Sequence, residues 1–123
     1  MLRWLYRVFF LSVLFLLASC GGVALQASQP PIALFRYVGS EQCGEPLMTA
    51  ANLQDTVTVL KRQGVAVLSA QCGSDGRMYP AVCGAGTGEV WIVAVAASDE
   101  ARAVAAGFVR VVSDEMVAVP CRE

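Results

Sequence analysis

Apolar positions after residue 31 fall into short runs and helical stripes that alternate along the chain. Three apolar runs, 32–38, 65–70 and 90–96, have the length and β-branched content of buried strands. Two shorter runs, 108–112 and 117–119, predict a fourth strand and a short fifth one. The hydrophobic pattern therefore predicts a small domain in which the strands predominate.

A first helix is expected between the first two strands, where five apolar residues recur at helical spacing: Leu47, Ala50, Leu53, Val57 and Leu60. Pro46 suits its first turn, although the helix could start as late as Asn52, with Asp55 completing a partial capping box. Gly64 follows two basic residues and is expected to end this helix.

A second helix is expected after the third strand. Ser98 is its predicted N-cap, and Ala101, Val104 and Ala105 are its predicted buried stripe. Gly107 is expected to end it.

The predicted order is β-α-β-β-α-β, with a glycine-rich loop over residues 72–88. This order is typical of an α+β fold, and in particular of a ferredoxin-like split βαβ sandwich, in which two helices cover one face of an antiparallel sheet. Three-layer variants fit the same order of elements.

The N-terminal segment has the composition of an export signal. Arg3 and Arg7 precede an apolar run over 8–17, and small residues follow it. A membrane-spanning helix needs about 20 apolar residues, so the length favours a removed leader over an uncleaved anchor.

The segment Leu17-Ala18-Ser19-Cys20 resembles the lipobox of bacterial lipoproteins. The resemblance implies that residues 1–19 are a signal peptide and that Cys20 receives acyl chains such as palmitate, which anchor the protein in a membrane. Gly21 stands where lipoproteins retained in the inner membrane typically carry Asp, so the resemblance implies outer-membrane sorting and a periplasmic domain if the source has two membranes. The alternative is an ordinary signal peptide with an incidental cysteine.

Residues 20–31 carry no charge and no periodicity, and we interpret them as a flexible tether before a single domain over 32–123. This domain holds four cysteines: Cys43, Cys72, Cys83 and Cys121. An even number in a small exported domain predicts two disulfides, and three pairings are possible. We favour Cys72–Cys83 with Cys43–Cys121, because the predicted topology brings all four to one end of the sheet.

The composition argues against several kinds of chemistry. A net charge of −1 without a basic run argues against nucleic-acid binding. The sequence has no histidine and no CxxC pair, which argues against a metal site and excludes a Ser-His-Asp triad. The glycines of 84–88 lead into a strand rather than a helix, so they do not form a phosphate loop. We expect no cofactor and nominate no catalytic residue.

The stretch from Cys72 to Cys83 resembles the central part of Kazal-type protease inhibitors, through a Cys-Gly-Ser-Asp-Gly turn and a tyrosine three residues later. The family's upstream cysteine is absent near Gly64 and Ala81 replaces its usual asparagine, so the likeness is confined to the turn. Arg77, Met78 and Tyr79 on this loop are the candidate binding residues, because methionine and aromatic side chains are favoured at interfaces.

Together these features predict a non-enzymatic lipoprotein that is a binding or structural component of the cell envelope. The alternative function is a protease-inhibitor-like or ligand-binding module that uses the loop between Cys72 and Cys83.

Overall fold

A computed structural model describes residues 28–112 and 114–123. The predicted signal peptide, Cys20 and most of the predicted tether lie outside these residues. Within them, five strands and two α-helices follow one another. They are β1 (Ile32–Tyr37), α1 (Ala50–Arg62), β2 (Val67–Ser74), β3 (Glu89–Val95), α2 (Glu100–Ala105), β4 (Val109–Arg110) and β5 (Val117–Ala118), with a 3-10 turn (Ala97–Asp99) before α2.

The strands form an antiparallel sheet in the order β4-β1-β3-β2-β5. Leu34 of β1 lies opposite Val93 of β3, which lies opposite Ala70 of β2. These residues pack in one core cluster with Leu60 of α1 and Ala103 of α2. The predicted α+β class, with an antiparallel sheet and two helices, is confirmed.

The first helix begins between the two predicted starts. Thr49 is its N-cap, and its hydroxyl oxygen accepts a hydrogen bond from the backbone N–H of Asn52 at 3.2 Å. This bond satisfies one of the N–H groups that a helix start leaves without an intrahelical partner. Val57 and Leu60 are buried against the sheet, as the apolar spacing predicts.

The predicted buried stripe of the second helix is wrong. Ala101, Val104 and Ala105 are exposed, and Ala103 is the fully buried residue of α2. The cause lies before the helix, where the 3-10 turn changes the rotation of the chain relative to a continuous helix that starts at Ser98. Ser98 itself is exposed, and no side-chain cap bond is made at the start of α2.

Strand β2 extends into the segment that the glycines predict to be a loop. Cys72 and Gly73 continue the ladder, opposite Trp91 and Val90 of β3. The side chain of Cys72 therefore faces the core, on the same side of the sheet as Trp91. Pairing with β3, which is apolar from Val90 onward, outweighs the weak local propensity of Gly73 here.

The fifth strand pairs with β2 and not with β4, and Gly73 lies opposite Ala118 in that pair. Since β4 and β5 occupy opposite edges of the sheet, the connection between them crosses the molecule. After β4, the Val111 N–H of this connection donates a hydrogen bond to Ala33 O. At the other edge of the sheet, the Glu115 carbonyl lies beside Gly76. This path covers part of the sheet face opposite the helices.

Over residues 28–112 and 114–123, no helix is both long and apolar enough to cross a membrane.

Candidate functional site

The four cysteines of the domain are all paired, but the favoured pairing is wrong. The structure has Cys43–Cys83 and Cys72–Cys121, with Cα–Cα distances of 5.1 and 5.3 Å. Cys72 cannot reach the loop that contains Cys83, because its side chain points from β2 into the core. The β5 pairing supplies its partner instead: Val119 N–H donates to the Cys72 carbonyl at 3.0 Å, which places Cys121 beside it.

The disulfide Cys43–Cys83 joins two loops at the end of the sheet. Gln42 N–H donates to Ala85 O at 2.7 Å and Gly84 N–H donates to Gln42 O at 3.1 Å, so the two loops run antiparallel like a short hairpin. Cys43 has a φ of 64°, in the left-handed region that residues with a side chain seldom adopt. The disulfide and these backbone bonds hold the loops together although neither loop has an apolar core of its own.

A buried carboxylate organises the loop that follows β2. Asp75 is 2 % exposed, and its Oδ2 accepts hydrogen bonds from the hydroxyls of Tyr37, at 3.1 Å, and Tyr79. Its Oδ1 accepts from Arg77 N–H at 3.1 Å, and its own N–H donates to Gly88 O at 3.0 Å. Through these hydrogen bonds Asp75 connects β1, both ends of the loop and the start of β3.

The hydrogen bonds to Asp75 change how the whole cluster titrates. Burial raises the pKa of Asp75, but the bonds from Tyr79, the Arg77 backbone and Tyr37 outweigh it and hold that pKa below its usual value. The bond to Asp75 raises the pKa of Tyr79 to about 12. Burial, followed by the bond to Asp75, raises the pKa of Tyr37. The carboxylate is thus the acceptor and both phenols are donors at neutral pH.

The three candidate binding residues on this loop have different surroundings. Met78 is 98 % exposed, and Arg77 is exposed as well. Tyr79 is half-buried, and its hydroxyl is used by Asp75. Arg77 and Met78 are available for contact, whereas Tyr79 mainly holds the loop in place.

A cavity of about 330 Å³ opens beside the joined loops. Its wall includes Ser40, Cys43, Thr87, Glu89 and Arg122. Glu89 starts β3 and is 7 % exposed, and its Oε1 accepts a hydrogen bond from Arg122 Nε at 2.7 Å. The neighbouring disulfide Cys72–Cys121 and the bond from Arg122 N–H to Met48 O, at 2.9 Å, hold that arginine in position.

A second, smaller cavity of about 210 Å³ lies under the connection from β4 to β5. Its wall includes Phe35 and Tyr37 of β1, Asp75, and Val112 and Met116 of the connection. The polar groups of Tyr37 and Asp75 already bond to each other.

The sequence pattern did not single out Ser40, Asp75, Glu89 or Arg122. Glu89 carried a usable signal, because it is an acid directly joined to a buried apolar run, and an acid that is buried there needs a partner. Its partner Arg122 is 33 residues away along the chain and only the tertiary fold brings them together.

In the part of the chain that the structure describes, no group of three or more His, Cys, Asp or Glu residues is placed to hold a metal ion.

Comparison with known proteins adds no assignment. No protein-family model matches the chain, and no match was found among curated proteins or solved structures.

Proposed function

We propose that this protein is an exported lipoprotein in which acyl chains on Cys20 hold a small, non-enzymatic binding domain at a membrane. Residues 1–19 are the removed signal peptide, and residues 20–31 are the tether. At about 3.5 Å per residue the tether reaches at most about 40 Å, so the domain stays near the bilayer. Its binding partner is another protein of the cell envelope.

The cysteine count is the observation that carries this proposal. The chain has five cysteines, and Cys43, Cys72, Cys83 and Cys121 pair with one another. Disulfides of this kind persist in oxidising compartments outside the cytosol, in agreement with an export signal. Cys20 is then left without a cysteine partner in its own chain, and it stands at the acylated position of the lipobox-like segment.

The proposed location is the outer membrane, with the domain in the periplasm, if the source has two membranes. It is supported by Gly21 at the position that sorts lipoproteins. More than one acyl chain is needed for stable anchoring, and the lipoprotein resemblance supplies them at Cys20.

The proposed fold family is the ferredoxin-like split βαβ sandwich, with β5 added at one edge. The order β4-β1-β3-β2 with antiparallel neighbours supports it, as does the presence of Leu60 and Ala103, one from each helix, in the same core cluster. This placement leaves the loops at the Cys43–Cys83 end free to carry the binding surface.

Arg77 and Met78 are the proposed contact residues on that surface. Their loop is held by Asp75, so little backbone freedom is lost when a partner binds.

A protease-inhibitor-like or ligand-binding module is the second candidate, favoured by the nearly full exposure of Met78 on a loop that Asp75 makes rigid. Titration of the protein against a panel of serine proteases tests it, and inhibition that Met78→Ala abolishes would support it.

Replacement of Cys20 by serine tests the anchor. We expect the wild-type protein, produced in a bacterial host, to incorporate labelled palmitate and to sediment with membranes after an alkaline carbonate wash. Cys20→Ser should lose both properties. The control Ser19→Ala keeps a small residue before the cysteine and should behave as the wild type. If Cys20→Ser is processed and sediments like the wild type, the proposed anchor is wrong.

A further inference from the structure

Two residues that line the cavity beside the joined loops each have a buried side-chain oxygen without a hydrogen-bond partner. Across residues 28–112 and 114–123, the buried side-chain oxygens without a partner are Ser40 Oγ and Glu89 Oε2. Ser40 is 6 % exposed and Glu89 is 7 % exposed, and both line the cavity of about 330 Å³. Because a buried oxygen without a partner is costly, two in one cavity indicate a place for a hydrogen-bonding group.

The two oxygens without a partner determine which hydrogen-bonding group fits. Glu89 uses Oε1 for Arg122, so its Oε2 remains as an acceptor that carries part of a negative charge. The hydroxyl of Ser40 can accept as well as donate. A ligand that donates several hydrogen bonds fits both oxygens, whereas a second carboxylate or a phosphate would face Glu89 directly.

The charge around the cavity selects among such donors. Glu41, Glu45 and Glu89 line it with Arg122, which leaves a net charge of −2 from three acids and one base. Such a wall attracts a small cation and repels anions. The donor groups should therefore belong to a cation.

We propose that this cavity binds a primary ammonium group, with Glu89 Oε2 and Ser40 Oγ as its acceptors. The ligand is a small amine, or the amino group of a peptide that enters from the side of Glu41 and Glu45. This inference rests on the proposed binding function and names the chemistry of its ligand. A cavity of this size is at the lower end of small-ligand sites.

Both disulfides keep the cavity in shape for such a ligand. Cys43 forms part of its wall, and its bond to Cys83 fixes the loop of Ser40 against the loop of Thr87. Thr87 strengthens this contact, because its N–H and its hydroxyl both donate to Ser40 O, at 3.2 and 3.3 Å. The site is therefore preorganised, which reduces the entropy lost on binding.

The direct test is an NMR titration of the ¹⁵N-labelled full chain, extracted in a non-ionic detergent. The probe is propylammonium chloride, and 1-propanol and sodium propionate are its neutral and anionic counterparts of similar size. We expect saturable shifts with the ammonium probe at the amides of Thr87, Glu89 and Arg122, and none at Met78. Added salt should weaken the binding because the acids at the rim are exposed.

Variants assign the two oxygens. Glu89→Gln retains an acceptor for Arg122 but presents a donor to the ligand, so it should weaken propylammonium binding by about tenfold or more. Ser40→Ala should weaken it by about threefold, and it keeps the assignment testable if Glu89→Gln fails to fold. Glu100→Gln changes the net charge equally, far from the cavity, and should bind as the wild type.

Several outcomes would overturn the inference. Equal shifts with 1-propanol would show that charge does not matter, and displacement of the amine by micromolar Ca²⁺ would assign the cavity to a metal. Absence of any shift would mean that water alone occupies it. These results are independent of the anchor. A wild-type protein that is not acylated but binds the amine would overturn only the proposed lipoprotein. A wild-type protein that is acylated but does not bind the amine would overturn only this inference.

Discussion

The disulfides Cys72–Cys121 and Cys43–Cys83 lie in two regions that hold together by different means. Cys72 is buried among Leu34, Trp91 and Val93 in the core under the helices. Cys43 and Cys83 are both exposed and lie in loops, and Glu41 and Glu45 line the cavity beside Cys43. One disulfide reinforces an apolar core, while the other stands in for a core at a polar end of the sheet.

This difference bears on where the proposed binding surface can form. A region that packs by apolar contact has no free polar groups to offer a ligand. The loops at the Cys43–Cys83 end are ordered by covalent and hydrogen bonds instead, and there Glu89, which lines a cavity, keeps a buried Oε2 without a hydrogen-bond partner. Small domains use disulfides in this way when they cannot build a larger core.

The largest expected effect comes from the removal of each disulfide as a pair of alanines. The loops closed are of similar length, with sequence separations of 40 and 49, so each bond should contribute about 4 kcal/mol through chain entropy. Cys72→Ala/Cys121→Ala should cost about 1 kcal/mol more than Cys43→Ala/Cys83→Ala, because Cys72 also leaves a cavity in the core. Urea unfolding of both variants measures the difference, and equal losses would contradict the contrast between the regions.

A pair of glycines with positive φ sharpens the comparison within the polar region. Gly88 has a φ of 71°, and a Cβ there would approach Tyr79 and Asp75 closer than 3.0 Å. Gly84 has a φ of 87° and nothing within 4 Å of the same position. Gly88→Ala should therefore destabilise the protein by about 3 kcal/mol and Gly84→Ala by about 1 kcal/mol.

Thermal unfolding followed by circular dichroism measures both glycine variants. If Gly84→Ala is as costly as Gly88→Ala, backbone strain alone explains the losses, and the packing around Asp75 does not hold this loop.

Asp75→Asn tests the polar cluster itself. One amide N–H₂ would replace a carboxylate oxygen that accepts from tyrosine or backbone donors, so we expect a loss of about 1–2 kcal/mol in urea unfolding at neutral pH. Asp114→Asn, at an exposed position, is the matched control and should change stability little.

The same variant should alter the response to acid. The folded-state pKa of Asp75 lies below its unfolded value near 3.8, so its contribution is complete above that pH and is lost as the pH falls through the folded pKa. Asp99 behaves likewise, because the Ala66 N–H and Arg102 hold its pKa down. The free energy of unfolding of Asp75→Asn should therefore fall less steeply with decreasing pH than that of the wild type. Part of the fall should remain in the variant, because Asp99 is still present.

The smallest expected effect is on the alkaline side. The bond to Asp75 raises the pKa of Tyr79 from 10.0 to about 12. A raised pKa means that the phenol's contribution is complete below pH 10 and is lost as the pH rises through about 12. Ultraviolet absorbance of the phenolate, recorded after rapid pH jumps, should show a tyrosine that titrates near pH 12 and that Tyr79→Phe removes, beside Tyr37, whose pKa is also raised. In Asp75→Asn this tyrosine should titrate near its ordinary value.

Much of the architecture was readable from local patterns, because strands and helices with one buried face impose a period on the sequence. Leu34 and Val93 lie in the predicted apolar runs and are buried, and Val57 and Leu60 at helical spacing face the core. Leu47 and Ala50, from the same predicted helical stripe, are exposed, because the helix begins only at Ala50. The errors lie where the local signal was weak. The six-residue helix α2 offered too few turns for its buried face to be read. At Gly73, strand pairing overrode a loop-like composition.

The amino-acid sequence alone determined the α+β class, the even set of cysteines in the domain and the lipobox-like segment, since each depends on residue type and spacing. The tertiary structure decided the disulfide partners and the composition of the cavity. Cys72 meets Cys121 only because β5 crosses to the far edge, and Glu89 meets Arg122 for the same reason. Contacts between distant residues depend on how strands pair, and that pairing is chosen by the core as a whole.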